Sequence, residues 1–206
     1  MQNKEIRAFE FEIRAEENEE HGTYITGQPI VYNAPADMGW YREYIDDGAL
    51  DNTDLRDVRF LVNHNTDMIP LARSRNNNAN STMQMEIVPN VGMNIRVDLD
   101  IENNTEAKNL YSAVKRGDMD KMSFMFTVEE DKWEDLDSDY PTRHILSFAK
   151  VFEVSAVTFP AYEQTSIQAR GLSDALDSAR TSLDSAKAEA KKVDDQKKKI
   201  KLLCEI

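Results

Sequence analysis

The chain has 206 residues, 40% hydrophobic and 31% charged, and its 25 Lys+Arg against 38 Asp+Glu give a formal charge of −13. That is enough apolar material for one core, while so acidic a balance makes the chain a poor candidate for tracking nucleic-acid phosphates. No run of about 18 apolar residues is present, which excludes a membrane-spanning helix, and the charged first twenty residues have no apolar stretch of the kind a secretory signal needs.

In chain order, Phe9, Phe11 and Ile13 alternate with Glu10, Glu12 and Arg14, so a half-buried strand is expected over 9–14. Residues 22–32 form a second extended stretch, in which Pro29 marks an edge or a bulge. Residues 57–63 make a short apolar strand that runs out at Asn63-His64-Asn65. Residues 82–88 and 93–101 alternate cleanly, and Pro89-Asn90-Val91-Gly92 between them is good hairpin-turn chemistry.

One helix follows, over 103–117. Ala107, Leu110, Tyr111 and Val114 fall at helical spacing, Asn104 or Thr105 can cap the start, and Gly117 can end it after Lys115 and Arg116. Strands are then expected over 121–130, 143–149 and 152–159, with residues 133–142 as an acidic loop after the first of them. The pattern is that of a mainly β, α+β domain with flanking helices.

Composition changes near residue 168. Residues 1–170 carry a charge of −14 and residues 171–206 carry +1; no Gly follows Gly171, no Pro follows Pro160 and no aromatic follows Tyr162. The division expected is a β domain over 1–168 and a charged helical tail over 169–206. Leu172, Leu176, Ala179, Leu183, Ala186, Ala190, Val193, Lys197, Ile200 and Cys204 recur at alternating spacings of four and three, a heptad-like stripe weakened by its alanines. Such a helix either docks on a partner through the Leu172, Leu176 and Leu183 face or lies solvated. The junction at Ala169-Arg170-Gly171 is expected to be flexible and open to self-cleavage.

The chemistry-bearing residues are few. Cys204 is the one cysteine, which excludes an internal disulfide and fits a reducing compartment; three histidines (His21, His64, His144) without a Cys pair argue against structural zinc. No metal or cofactor is expected. His64 stands at a strand end between two asparagines, partly exposed and free to act as a base, or is simply a loop histidine. Ser123 lies on the opposite face of its strand from Met122, Phe124 and Phe126; it is a nucleophile in a groove or an ordinary strand serine on the solvent face. Glu153 interrupts an apolar strand, where a carboxylate needs a partner: it either orients a histidine or pairs with Arg143 or Lys150. His144 is a rival third member, and Asp98 and Asp100 are weaker ones.

Taken together and in order, these signals resemble the prohead (capsid maturation) serine proteases of tailed bacteriophages. The carriers are His64-Asn65, a strand pair, a helix ending in Gly117, Ser123-Phe124-Met125-Phe126, and Glu153-Val154-Ser155 through Pro160-Ala161-Tyr162, after which the chain leaves the domain at Gln164-Thr165. Where that family places a Pro-Leu-Gly turn after the histidine, this chain has Pro70-Leu71-Ala72. The resemblance covers about residues 20–170. It implies a herpesvirus-protease-like antiparallel β-barrel, followed here by the helical tail. It also implies a serine endopeptidase with His64 as base, Ser123 as nucleophile and Glu153 as the orienting acid.

The substrates implied are the major capsid protein or its scaffold segment and the protease itself, as an autocleaving and self-associating chain. The place implied is the procapsid within the host cytoplasm, with the protein absent or fragmentary in the mature virion. No nucleic-acid or membrane partner is implied. A catalytically inactive assembly protein and a small-ester hydrolase are the alternatives.

Overall fold

The computed structural model describes residues 4–9, 13–18, 22–159 and 169–204, without the side chains of 8–9, 169–175 and 201–204. His21 and Pro160-Ala161-Tyr162 therefore lie outside the described residues, as do the Gln164-Thr165 exit and the Leu172 and Cys204 side chains.

The strands build two sheets. The first has seven strands: β1 (Glu5–Phe9), β4 (Ala36–Asp37), β5 (Arg42–Ile45), β6 (Asp57–Val62), β7 (Ala72–Arg75), β10 (Lys121–Glu134) and β11 (Thr142–Val157). Its main path runs β1-β10-β11-β5-β4, and β6 pairs with both β11 and β7. The second has four: β2 (Ile13–Asn18), β3 (Gly22–Val31), β8 (Met83–Val88) and β9 (Gly92–Asp98), in the order β2-β3-β9-β8. The core lies where these sheets face each other and includes Ile25, Ile30, Val97, Phe60, Phe124, Phe126, Phe148 and Val154, all 2% exposed or less. Among the described residues the fold is mainly β with two helices. Their ladders close no barrel of the kind the resemblance implies, and β11 pairs parallel with β5 and β6.

Most sequence-level elements are present, with instructive shifts. Of the strand expected over 9–14, residues 10–12 lie outside the described residues; Phe9 belongs to β1 and Ile13 and Arg14 to β2, in different sheets. Pro29 does sit at a bulge, where the β3–β9 register slips between Gly27 and Ile30. The β8–β9 hairpin turns through Asn90 in the left-handed region and Gly92 at φ 135°. A Cβ on Gly92 would lie 2.0 Å from the Ile30 carbonyl oxygen, so only glycine fits. Helix α1 (Thr105–Arg116) has Asn104 as its N-cap, accepting from the backbone of Glu106 and Ala107, and left-handed Gly117 as its C-cap. The strand after α1 and the two after it are one long hairpin, β10 with β11, and the supposed acidic loop shrinks to residues 135–141.

Helix α2 (Ala169–Cys204) begins where a flexible junction was expected, so Ala169-Arg170-Gly171 is its first turn. The stripe neither lies wholly solvated nor is left free for a partner along its first half, but meets the chain's own domain: Ala179 and Leu183 are buried, and Leu176 and Ala186 pack beside them. Ser178 donates to Glu5 at 3.0 Å, and Ser182 donates to Asp131 and accepts from Trp133 Nε1. From Lys187 to Ile200 every residue is exposed.

Candidate active site

The β10–β11 ladder fixes the site. Ser123 on β10 faces Ser155 on β11, and Met125 faces Glu153, so Ser123, Glu153 and Ser155 share the sheet face opposite Phe124 and Val154. The parallel ladder of β6 on β11 ends at Val62–Ala156, which delivers the next residues of β6 beside this face. The chain then turns sharply: Asn63 and His64 are both left-handed, at φ 51° and 55°. A histidine there is strained unless its surroundings hold it. They do: the Asn63 backbone donates to Ala156 O at 2.9 Å, the Asn63 side chain accepts from Thr158 N at 2.9 Å, and the His64 backbone donates to Ser155 Oγ at 3.1 Å.

This turn folds the imidazole back over the sheet. His64 Nδ1 lies 2.6 Å from Glu153 Oε1, and His64 Nε2 lies 2.6 Å from Ser123 Oγ. The structure thus brings together the three residues that the sequence singled out. The side chains of His64 and Glu153 are 6% and 3% exposed. A carboxylate that buried holds the proton of the near ring nitrogen and leaves Nε2 its lone pair, the tautomer a base toward Ser123 requires.

Ser155 was not singled out for a role from the sequence. It is wholly buried, donates to Glu153 Oε2 and accepts from the His64 backbone, so it ties the acid to the turn that carries the base. The signal was available, since Glu153-Val154-Ser155 places two polar side chains at period two in an apolar strand. The expectation of a solvent-facing Ser123 is corrected. The residue is 0% exposed, because β1 lies alongside with Ala8 opposite Ser123, and the Ser123 hydroxyl donates to the Arg7 carbonyl oxygen at 2.7 Å.

The other candidates lie elsewhere. His144 sits far along β11, opposite Lys132 and Tyr44, with Nδ1 2.7 Å from Asp46 and its ring stacked on Tyr44 at 5.3 Å. Asp98 pairs with Arg96, and Asp100 accepts from the backbone of Asn103. Among the described residues no cluster of His, Cys, Asp or Glu could hold a metal ion.

A family model described as caudovirus prohead serine protease matches residues 9–178 of the chain. No curated protein and no solved structure matches it.

Proposed function

The chain belongs to the caudovirus prohead serine protease family, and we propose that it is the endopeptidase of head maturation, acting through Ser123, His64 and Glu153. One observation carries the residue assignment: a single imidazole bridges a buried carboxylate and a strand serine at 2.6 Å on each side. As Ser123 Oγ attacks a peptide carbonyl carbon, its proton passes to His64 Nε2, and Glu153 stabilises the imidazolium through Nδ1–H. His64 then gives that proton to the leaving amine, and the acyl group remains on Ser123. Water, deprotonated in turn by His64, releases the acid and restores the serine. The chain's own residues supply the base, the nucleophile and the orienting acid.

The substrates in this reading are a scaffold protein or the scaffold-like segment of the major capsid protein, inside the procapsid, together with the protease itself. The family supports a partner of that kind. The tail of residues 169–206 is the segment we expect to be trimmed, with the exposed stretch from Lys187 to Ile200 as the part left free for docking on scaffold. Co-expression with the neighbouring capsid protein, followed by mass measurement of the products, tests this. Discrete truncation of the capsid protein, lost with Ser123→Ala, is the expected result. Intact capsid protein and intact protease in a head that still assembles would favour a purely architectural role.

A further inference from the structure

A serine nucleophile needs a substrate peptide bond beside its oxygen, and in this structure a backbone peptide of the chain itself lies there. The Arg7 carbonyl oxygen lies 2.7 Å from Ser123 Oγ, held by β1 as an antiparallel strand on β10, with Glu5 opposite Phe126 and Phe9 opposite Met122. The consequence for the proton is direct. Ser123 has one hydroxyl hydrogen, and two acceptors compete for it, the Arg7 carbonyl and His64 Nε2. While Arg7 takes it, the base does not. The strand lies at the end of the sheet's main path, with β10 as its ladder partner and α2 packed beside it, and the family match begins only at residue 9.

Besides its ladder to β10, β1 is held by charge and by Ser178 of α2, which donates to Glu5. Arg7 is wholly buried; its guanidinium is forked onto both oxygens of Glu43, reaches Glu5 at 2.6 Å, and stands over the Phe126 ring at 5.4 Å. Glu5 in turn accepts from Arg143 at 2.9 Å, and Arg143 reaches Glu43 at 3.1 Å and Asp131 at 2.7 Å. With β1 gone, Glu5 and Arg7 leave as a neutral pair. Glu43 and Asp131 then face Arg143 alone, one negative charge in excess, in the buried space that Glu5 and Arg7 vacate.

We propose that β1 occupies the substrate's own position. An extended peptide displaces it by pairing with β10 in the same register, placing a basic side chain beside Glu43 and its carbonyl at Ser123. A peptide with an acidic residue there would bury a second uncompensated negative charge, which a low-dielectric site rejects. This rests on the reading of Ser123 as nucleophile, and it adds the binding mode, the charge preference and a built-in competitor.

The test measures fluorophosphonate labelling of Ser123 in the full chain. Ile6→Pro removes a backbone N–H from β1 and should loosen the strand, raising the labelling rate at least about tenfold. Ile6→Cys with Met125→Cys, a directly opposed pair, in a Cys204→Ser background, should label slowly when oxidised and faster once reduced. A peptide of the Glu5–Phe9 sequence should slow labelling of the Ile6→Pro protein, and the same peptide with Arg7→Glu should not. Equal labelling rates in the wild-type, loosened and locked proteins would overturn the displaced-strand proposal while leaving the protease reading intact. Equal competition by both peptides would overturn the basic preference. No labelling of Ser123 in any form, with the protein folded, would overturn both this proposal and the reading it rests on.

Discussion

The β10–β11 hairpin carries two buried polar clusters, one near each end, and they are built on opposite plans. Toward the open end of the ladder stand Ser123, His64, Glu153 and Ser155. Further along, Arg143 joins Glu5, Glu43 and Asp131, with Arg7 closing the group. In the second cluster fixed charges satisfy one another: burial alone would lower the Arg7 pKa, but Glu43 and the neighbouring acids hold it well above the ordinary arginine value. Arg143 is likewise held above the ordinary arginine value, against its burial, by Glu5 and Glu43, so neither guanidinium gives up a proton. In the first cluster the Ser123 proton has two acceptors within reach. The comparison teaches that burial and good pairing serve structure when every proton is committed, and serve chemistry when one is left with a short path to move. Removing a member of the first cluster should cost rate, and removing a member of the second should cost stability.

The largest expected effect is on rate. Ser123→Ala and His64→Ala should each lower self-processing by roughly 10⁴-fold or more, since members of such a set act as a unit. Both should stay folded. Because Ser123 is buried and hydrogen-bonded, Ser123→Ala should cost about 1–2 kcal/mol in urea unfolding, more than an exposed strand serine would. Glu153→Gln keeps the shape but cannot stabilise the imidazolium, and should lower the processing rate by roughly 10³–10⁴-fold with an unchanged melting point to within a few degrees.

Arg143→Met addresses the other cluster. It leaves Glu5, Glu43 and Asp131 short of a cation and should destabilise the fold by about 3–5 kcal/mol in chemical denaturation. The same cluster sets an acid limit. Burial would raise the Glu5 carboxyl, but Arg7 and Arg143 outweigh it and hold the group below its ordinary value of 4.5. A carboxyl depressed on folding contributes stability above the unfolded value and loses it as pH falls through the folded one. Thermal unfolding followed by circular dichroism should therefore show a midpoint that falls as pH drops below about 4.5.

Ser155→Ala tests the boundary between the plans, because Ser155 positions the acid and the base without touching substrate. It should lower kcat by roughly tenfold with little change in KM, and Ser155→Thr should restore part of it. The smallest effect is expected of His144. Its ring is paired with half-exposed Asp46, and His144→Ala should change the processing rate by less than about twofold. A large loss there would break the distinction between the two histidines.

Much of the His64, Ser123 and Glu153 cluster was legible in the sequence, and little of the charged one. His64 at the end of an apolar strand, Ser123 among core aromatics and Glu153 in an apolar run each break a local pattern, and a broken pattern is visible in one dimension. Glu5 and Arg7 break none. They sit in a charged segment that reads as solvated, and only pairing with residues 36 and 138 positions further on makes them interior. The burial of Ser123 was hidden for the same reason, since the strand that covers it comes from the far end of the sequence. Helix α1 was legible to its caps because a helix is a local structure. The stripe of α2 was legible too, but its partner was not: Ala179 and Leu183 have the spacing of a docking face whether they meet another molecule or β1 and β10.

The most direct measurement of the central claim is the mass of the modified peptide after prolonged reaction with a fluorophosphonate. The β1 strand slows that reaction without preventing it. One adduct is expected, on Ser123, and none on the His64→Ala protein. An adduct on a different serine, or processing that continues in Ser123→Ala, would contradict it.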